Sequence, residues 1–289
     1  MSKVLTPELV KRAIYSKYLM ERARAVLAEG SELSPAVAIL SAHDSIEILM
    51  RVIADHLRAP LAPESRFKDF WKVIKDSTGK IPPRLPAMDR LNHQRNGFKH
   101  KGLLPNAAGV NDLLREAVAF CEEISRDYLD TDYQALSLAD LLKNADVRER
   151  IKEAEQAKAD GNLPEALSKL GIAMDGMTFD KQKSSQVELI GEFRTPHSIS
   201  QVGQELGWSF SSDMRTMFEK LRKMAEVVDC FSLAIDPAKH RRFKWLTPLR
   251  SHTASGQVHV TWTRDPSGLT MEDFEFCYAF VVDFGLRSQ

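Results

Sequence analysis

The sequence predicts a mainly α protein in two parts. Residues 1–130 form a bundle of four or five helices; residues 131–289 form a helical hairpin followed by a smaller α+β module. Three observations carry this. Apolar residues recur every three or four positions through the first part, the spacing of a helix with one buried face. Proline and glycine fall at the ends of those periodic runs. Near the C-terminus the runs shorten, and some alternate as strands do.

Thr6 caps and Pro7 opens a helix through Leu9, Val10, Ala13, Ile14, Tyr18 and Leu19 that stops at Gly30. Ser34-Pro35 repeats the start signal for a helix carrying Val37, Leu40, Ile46, Leu49, Met50, Ile53 and Leu57, ended by Pro60 and Pro63. A shorter helix holds Phe67, Phe70, Trp71 and Ile74 and ends at Gly79. Pro82, Pro83 and Pro86 lead into a helix containing Arg95 and His100. After Gly102 and Pro105 comes a long helix with Leu113, Leu114, Val118, Phe120, Cys121 and Ile124. Short polar breaks between helices describe a bundle.

Asp130 to Gln134 is the expected domain boundary. Arg148–Ala159 and Leu163–Met174 then make a helical hairpin across Asp160-Gly161-Asn162, similar to a single tetratricopeptide unit without a second copy. Ser198–Lys223 loosely resembles a helix-turn-helix, with Arg215, Lys220, Arg222 and Lys223 as a modest basic face. Arg242–Leu246 and Gln257–Arg264 read as strands, the latter with Val258, Val260 and Trp262 alternating. Thr270–Arg287 opens with an N-cap and an acidic first turn and is expected to be helical, with a strand as the alternative because Phe274, Phe276, Tyr278, Phe280 and Phe284 partly alternate.

Forty basic and forty acidic side chains cancel, so a nucleic-acid site must be a local patch. The contents of 43% hydrophobic and 28% charged residues are those of a soluble globular protein. The three cysteines stand far apart among apolar neighbours, which suits small buried hydrophobes in a reducing, cytoplasmic setting and argues against a structural zinc site. The N-terminus opens a charged amphipathic segment rather than a signal sequence, and no apolar run approaches the ~20 residues of a membrane span. P-loop, Gly-x-Gly-x-x-Gly, Gly-x-Ser-x-Gly and His-Glu-x-x-His patterns are all missing, and His197, His252 and His259 lack ligand spacing.

The chemistry concentrates at Arg95-Asn96-Gly97-Phe98-Lys99-His100. Arginine is always protonated and offers phosphate oxygens a planar fork of donors. Histidine takes up and returns a proton near neutral pH. On a helix, His93, Asn96 and His100 share one stripe, while Arg95 lies well round from His100. The pair therefore requires Arg95 to bend round, the helix to distort at Gly97, or a second subunit to complete the site. Arg84, Arg90, Lys99 and Lys101 surround the motif against the single acid Asp89, a patch that attracts phosphate.

These residues resemble the Arg-x4–6-His signature of HEPN domains, small helical bundles, over roughly residues 5–130. The Arg-Asn-x-x-x-His form is also similar to the motif of the RNA-cleaving effectors of type VI CRISPR systems. An earlier helix with Ser41-Ala42-His43-Asp44-Ser45-Ile46-Glu47 is similar to the acidic, His/Ser-rich helix common in the family. The resemblance implies RNA cleavage by 2′-hydroxyl attack, without metal or cofactor. His100 would be the general acid or base, Arg95 the phosphate stabiliser, and Asn96 an orienting group. His93 and Lys99 would support them, and Asp44 or Glu47 would orient a catalytic side chain from the neighbouring helix. It also implies a homodimer with two motifs in one cleft, and a setting in bacterial defence, stress response or a toxin–antitoxin pair with a protein partner. A binding module of the same family without activity is the rival expectation.

Lys239-His240-Arg241-Arg242-Phe243-Lys244-Trp245 interleaves cations with aromatics, as single-strand-binding surfaces do. Arg241, Arg242 and Lys244 join Arg84, Arg90 and Lys101 as candidate RNA contacts. Read as an ordinary strand, which the alternation favours, the same stretch turns Phe243 and Trp245 inward.

Overall fold

Thr6 holds the first helix from its N-terminus. Its Oγ1 accepts from the Leu9 amide at 3.4 Å, and Pro7 takes the first turn, where no amide donor is needed. In this computed structural model, which describes residues 5–62, 64–189, 230–252 and 258–289 and positions 216, 217, 224 and 228, the chain is mainly α. It divides into two units, residues 1–141 and 142–289.

The first unit holds α1 (Pro7–Ala28), α2 (Ser34–Leu57), α3 (Asp69–Thr78), α4 (Leu85–Lys101) and α5 (Ala107–Leu129), then a 3-10 turn at Leu138–Leu141. α2 is its axis, since α1, α3, α4 and α5 all pack against it. Ile39, Ala42, Ile46, Leu49, Met50 and Ile53 recur at helical spacing and lose all contact with water. The start of α2 differs from the expected cap: Leu33 occupies the N-cap with no side-chain bond, while Ser34 Oγ accepts from the Ser31 amide at 3.2 Å. Arg58, left-handed at φ 54°, ends α2. Pro63 lies outside the described residues.

The segment expected as a boundary packs on α1. Lys17 Nζ donates to the Gln134 and Leu136 carbonyls at 2.6 and 2.7 Å. Tyr133 is buried, with its hydroxyl 3.2 Å from Ser16 Oγ, which lies 3.1 Å from Ser45 Oγ. Ser45 also donates to the Ser16 carbonyl at 2.7 Å. Buried hydroxyls that bond one another fix the register of α1, α2 and this segment, because each would be costly unpaired.

In the second unit, α6 (Ala145–Ala159) and α7 (Leu163–Leu189) form the expected hairpin, turning at Gly161 with φ 76°. Then come α8 (Pro237–Leu246), strands β1 (Leu249–His252) and β2 (Val258–Thr261), and α9 (Met271–Ser288). The strands are antiparallel, with Leu249 opposite Thr261 and His252 opposite Val258. Arg250 on β1 makes a two-pronged bond to Asp175 on α7, 2.7 Å from Nε and 3.0 Å from Nη2. Gly171 permits it, since a Cβ there would collide with the guanidinium. Thr270 and Asp273 form a reciprocal capping box at the start of α9. Ser198–Lys223, apart from residues 216 and 217, lies outside the described residues.

The strand expected at Arg242–Leu246 is a helix. Asp236 Oδ1 caps it by accepting from the Ala238 amide at 2.7 Å, and Pro237 opens it. Helical geometry sends residues two apart to opposite sides. Phe243 is therefore 1% exposed against α9, while Trp245, expected inward, is 66% exposed. β2 occupies the centre of the expected Gln257–Arg264 strand, and β1 was not expected. Among the described residues, no helix is long and apolar enough to cross a membrane.

Two outcomes follow for solution work. Ile46→Ala should cost about 2–5 kcal/mol in urea unfolding, the range for emptying a packed core site. Burial pushes the Cys121 and Cys277 thiols up to about 12. Because the thiolate is the reactive form, neither should react with a disulfide reagent at pH 8 until the protein unfolds. Rapid labelling of the native protein at either position would contradict this.

Candidate functional site

α4 carries most of the expected site, and it is continuous. It runs unbroken from Leu85 to Lys101, with Gly97 inside it and Gly102 closing it at φ 66°. The Gly102 and Leu103 amides donate to the Phe98 and Gly97 carbonyls at 2.9 and 3.2 Å. The helix therefore continues through Gly97. Residues five apart on such a helix project about 140° apart and about 7.5 Å along the axis. Arg95 Nη1 donates to Asn96 Oδ1 at 3.0 Å.

That bond begins a directional chain. A guanidinium only donates, so Asn96 must turn its oxygen to Arg95 and its amide nitrogen away. Asn96 Nδ2 faces Asn92 Oδ1 at 3.4 Å, one turn back on α4. Asn92 Oδ1 also lies 3.1 Å from Nε2 of His43 on α2. An oxygen with two lone pairs accepts twice, so His43 donates through Nε2, and its Nδ1 is turned to the other side of the ring. His43 is only 3% exposed and stacks on Phe67 with centroids 4.5 Å apart. Its Nδ1 lies 3.6 Å from Asp44 Oδ1 and 3.8 Å from Glu47 Oε2. Arg51 Nη2 approaches Glu47 from the next turn at 3.5 Å.

Asp44 and Glu47, expected to orient a catalytic group on α4, thus face His43, which reaches α4 through Asn92. Neither His43 nor Asn92 was singled out from sequence as a site residue. Both had a signal. His43 interrupts the apolar stripe formed by Ile39, Ala42, Ile46 and Met50, and Asn92 stands four residues before Asn96.

The remaining residues separate onto other surfaces. His93, Lys99, His100 and Lys101 are exposed. Lys99, His100 and Lys101 make the last turn of α4. His93 and Arg90 border a groove of about 1010 Å³ between α4 and α5. That groove is lined by three arginines (Arg84, Arg90, Arg115) and three acids (Asp89, Asp112, Glu116), so its formal charge cancels.

Arg84 is engaged from within. It precedes α4 in a left-handed conformation, φ 54°, uncommon for a side chain with a Cβ. Its guanidinium reaches Glu116 at 2.6 Å and Glu123 at 3.0 Å, both on α5, and these carboxylates push its pKa up. Asp89 is held by Lys68 at 2.8 Å, and Asp112 by Arg115.

On α8, Arg242 lies over the Phe276 ring at 4.2 Å, with Asp273 and Glu272 at 3.7 and 3.9 Å. Arg241 and Lys244 are exposed on the same helix. Trp245 is covered on one face by the Arg264 guanidinium, 5.6 Å from the ring centre.

No family model, curated protein or solved structure matches this chain.

The cations bordering the groove should separate by stability. Arg84→Ala should cost about 1 kcal/mol, and in a double-mutant cycle with Glu123→Ala the two losses should fall short of additive. Arg90→Ala should stay within about 0.5 kcal/mol of the parent. Equal effects of Arg84→Ala and Arg90→Ala in urea unfolding would show that Arg84 is not the anchoring cation.

Proposed function

We propose that this protein is a metal-independent RNA endonuclease of the HEPN kind, working as a homodimer, with a role in bacterial defence, stress response or a toxin–antitoxin pair. The observation that carries the reading is the bonded chain from Arg95 through Asn96 and Asn92 to His43. A polar chain that is half-buried and ends on a buried imidazole is costly, and a bundle needing only stability does better with apolar side chains at its inner end. This one holds the guanidinium of the motif in a set position beside an exposed basic turn.

In this reading His100 removes the proton from a ribose 2′-hydroxyl. The 2′-oxygen then attacks phosphorus, and the 5′-oxygen leaves with a proton supplied by a second acid. The products are a 2′,3′-cyclic phosphate and a free 5′-hydroxyl. Arg95 neutralises the charge growing on the phosphoryl oxygens. Because Arg95 and His100 lie five residues apart on one unbroken helix, the arginine and histidine that share a phosphate in this reading come from two copies: Arg95 of one chain and the partner subunit's His100. Asn96 orients the guanidinium, and Lys99, Lys101 and Arg90 attract the RNA backbone. Arg241 and Lys244 on α8 are further candidate backbone contacts.

A non-catalytic RNA-, nucleotide- or protein-binding role is favoured by one observation: within a single chain, the Arg95 guanidinium is bonded to Asn96 of its own helix. Purified protein incubated with single-stranded RNA separates the two. Cleavage should continue in excess EDTA, leave cyclic phosphate ends, and fall at least 100-fold in both Arg95→Ala and His100→Ala, in line with general acid–base and charge-stabilising roles. Mixing the two inactive variants should restore part of the activity, because a mixed dimer carries one intact pair. RNA bound but uncut, or cutting unaffected by both substitutions, would sink the enzymatic reading.

A further inference from the structure

We infer that His43, Asp44 and Glu47 on α2 form a binding site for a divalent transition-metal ion, on the opposite side of His43 from Asn92. One nitrogen and two carboxylate oxygens, all within 4.8 Å of one another, converge there. The acids alone would say little. The independent observation is the imidazole: His43 is 97% removed from solvent, and Nδ1 has no hydrogen-bond partner among the described residues. It points at two anionic oxygens 3.6 and 3.8 Å away.

The bond chain fixes how the ring is turned. Arg95 can only donate, which sets the Asn96 amide, which sets the Asn92 amide, which makes Nε2 of His43 the donor and leaves Nδ1 to the acids. A metal ion bound there would take the Nδ1 lone pair and both carboxylates as ligands and balance their charge. A carbonyl oxygen accepting from the far ring nitrogen is also how metal-ligating histidines are held in place. Ligands about 2.1 Å from a tetrahedral ion sit about 3.4 Å apart, so the two distances from Nδ1, 3.6 and 3.8 Å, need to close by only a few tenths of an ångström.

The ligand set selects the ion. Imidazole with two carboxylates suits Zn²⁺ or Mn²⁺, whereas Mg²⁺ prefers oxygen ligands and keeps its waters. Asp44 is 58% and Glu47 30% exposed, so an ion enters from solvent and water completes its shell. Positions 43, 44 and 47 fall within just over one turn of the rigid central helix, so the site is preformed. The ion would touch neither Arg95, Asn96 nor His100, and binding is measured without RNA, so the titration is read separately from cleavage.

Calorimetric titration of the full chain with Zn²⁺ tests it. One ion should bind per chain. Asp44→Asn and Glu47→Gln, both on the solvent side of α2, should each weaken binding at least tenfold while leaving the helical circular dichroism unchanged. Asn92→Ala, which removes the acceptor behind the ring, should weaken it about 10-fold or more. Mg²⁺ at the same concentration should give no comparable heat. Absence of Zn²⁺ binding, or binding unchanged in both carboxylate variants, would overturn the site and leave His43 simply paired with its neighbouring acids.

Discussion

Everything in the first unit hangs on α2 being surrounded. A helix that meets α1, α3, α4 and α5 has almost no side left for solvent, so its sequence must be apolar nearly all round. Fourteen of its residues are buried, and most are aliphatic. Such a helix tolerates a polar group only where a partner is waiting. Ser45 has Ser16, and His43 has Asn92. Ser34, at its first turn, has Ser31. The other two mark where α2 does more than fill space: Ser45 registers α1 and the Tyr133 segment, and His43 reaches α4.

The second contact has directional consequences, because it ends on a group that cannot accept. An amide inside a protein can usually be turned over with little loss, and an imidazole can carry its proton on either nitrogen. Here Arg95 removes both freedoms, since every bond inward is oriented by its donors. The geometry of α4 is thus transmitted to the interior of α2 by hydrogen bonds between side chains. It also works in reverse. Anything that draws on Nδ1 of His43 strengthens the Nε2 donor, and so tightens the hold on Asn92 and Asn96.

Signals contained within a few residues were legible in the sequence. Thr6-Pro7, Gly161 and the Thr270–Asp273 box act on their own turns, and each does in the fold what its local chemistry requires. Arg242–Leu246 shows the limit. In five residues, alternation and helical periodicity are nearly indistinguishable, and the deciding signal, Asp236-Pro237, lies upstream of the window. Arg84 shows another. Its charge is visible in the sequence, but the two glutamates that absorb it come from α5, thirty-two and thirty-nine residues later. The motif was legible as composition, whereas its connection to His43 is a tertiary fact spanning forty-nine residues.

The basic cluster and the polar chain therefore carry different weight. Lys99, His100 and Lys101 sit in the last turn of α4, where the unpaired carbonyls leave partial negative charge and cations are stabilising. Their presence has a sufficient reason in helix stability. Arg84 has its reason in Glu116 and Glu123, and Arg242 in the acidic first turn of α9. Arg95, Asn96, Asn92 and His43 have no such reason: they sit mid-helix, two of the four are asparagines with poor helix propensity, and one is a nearly dry imidazole. A functional argument for this chain rests more firmly on these four than on the positive charge around them. It is the unexplained cost of a polar arrangement, more than its resemblance to a motif, that distinguishes a site from a surface.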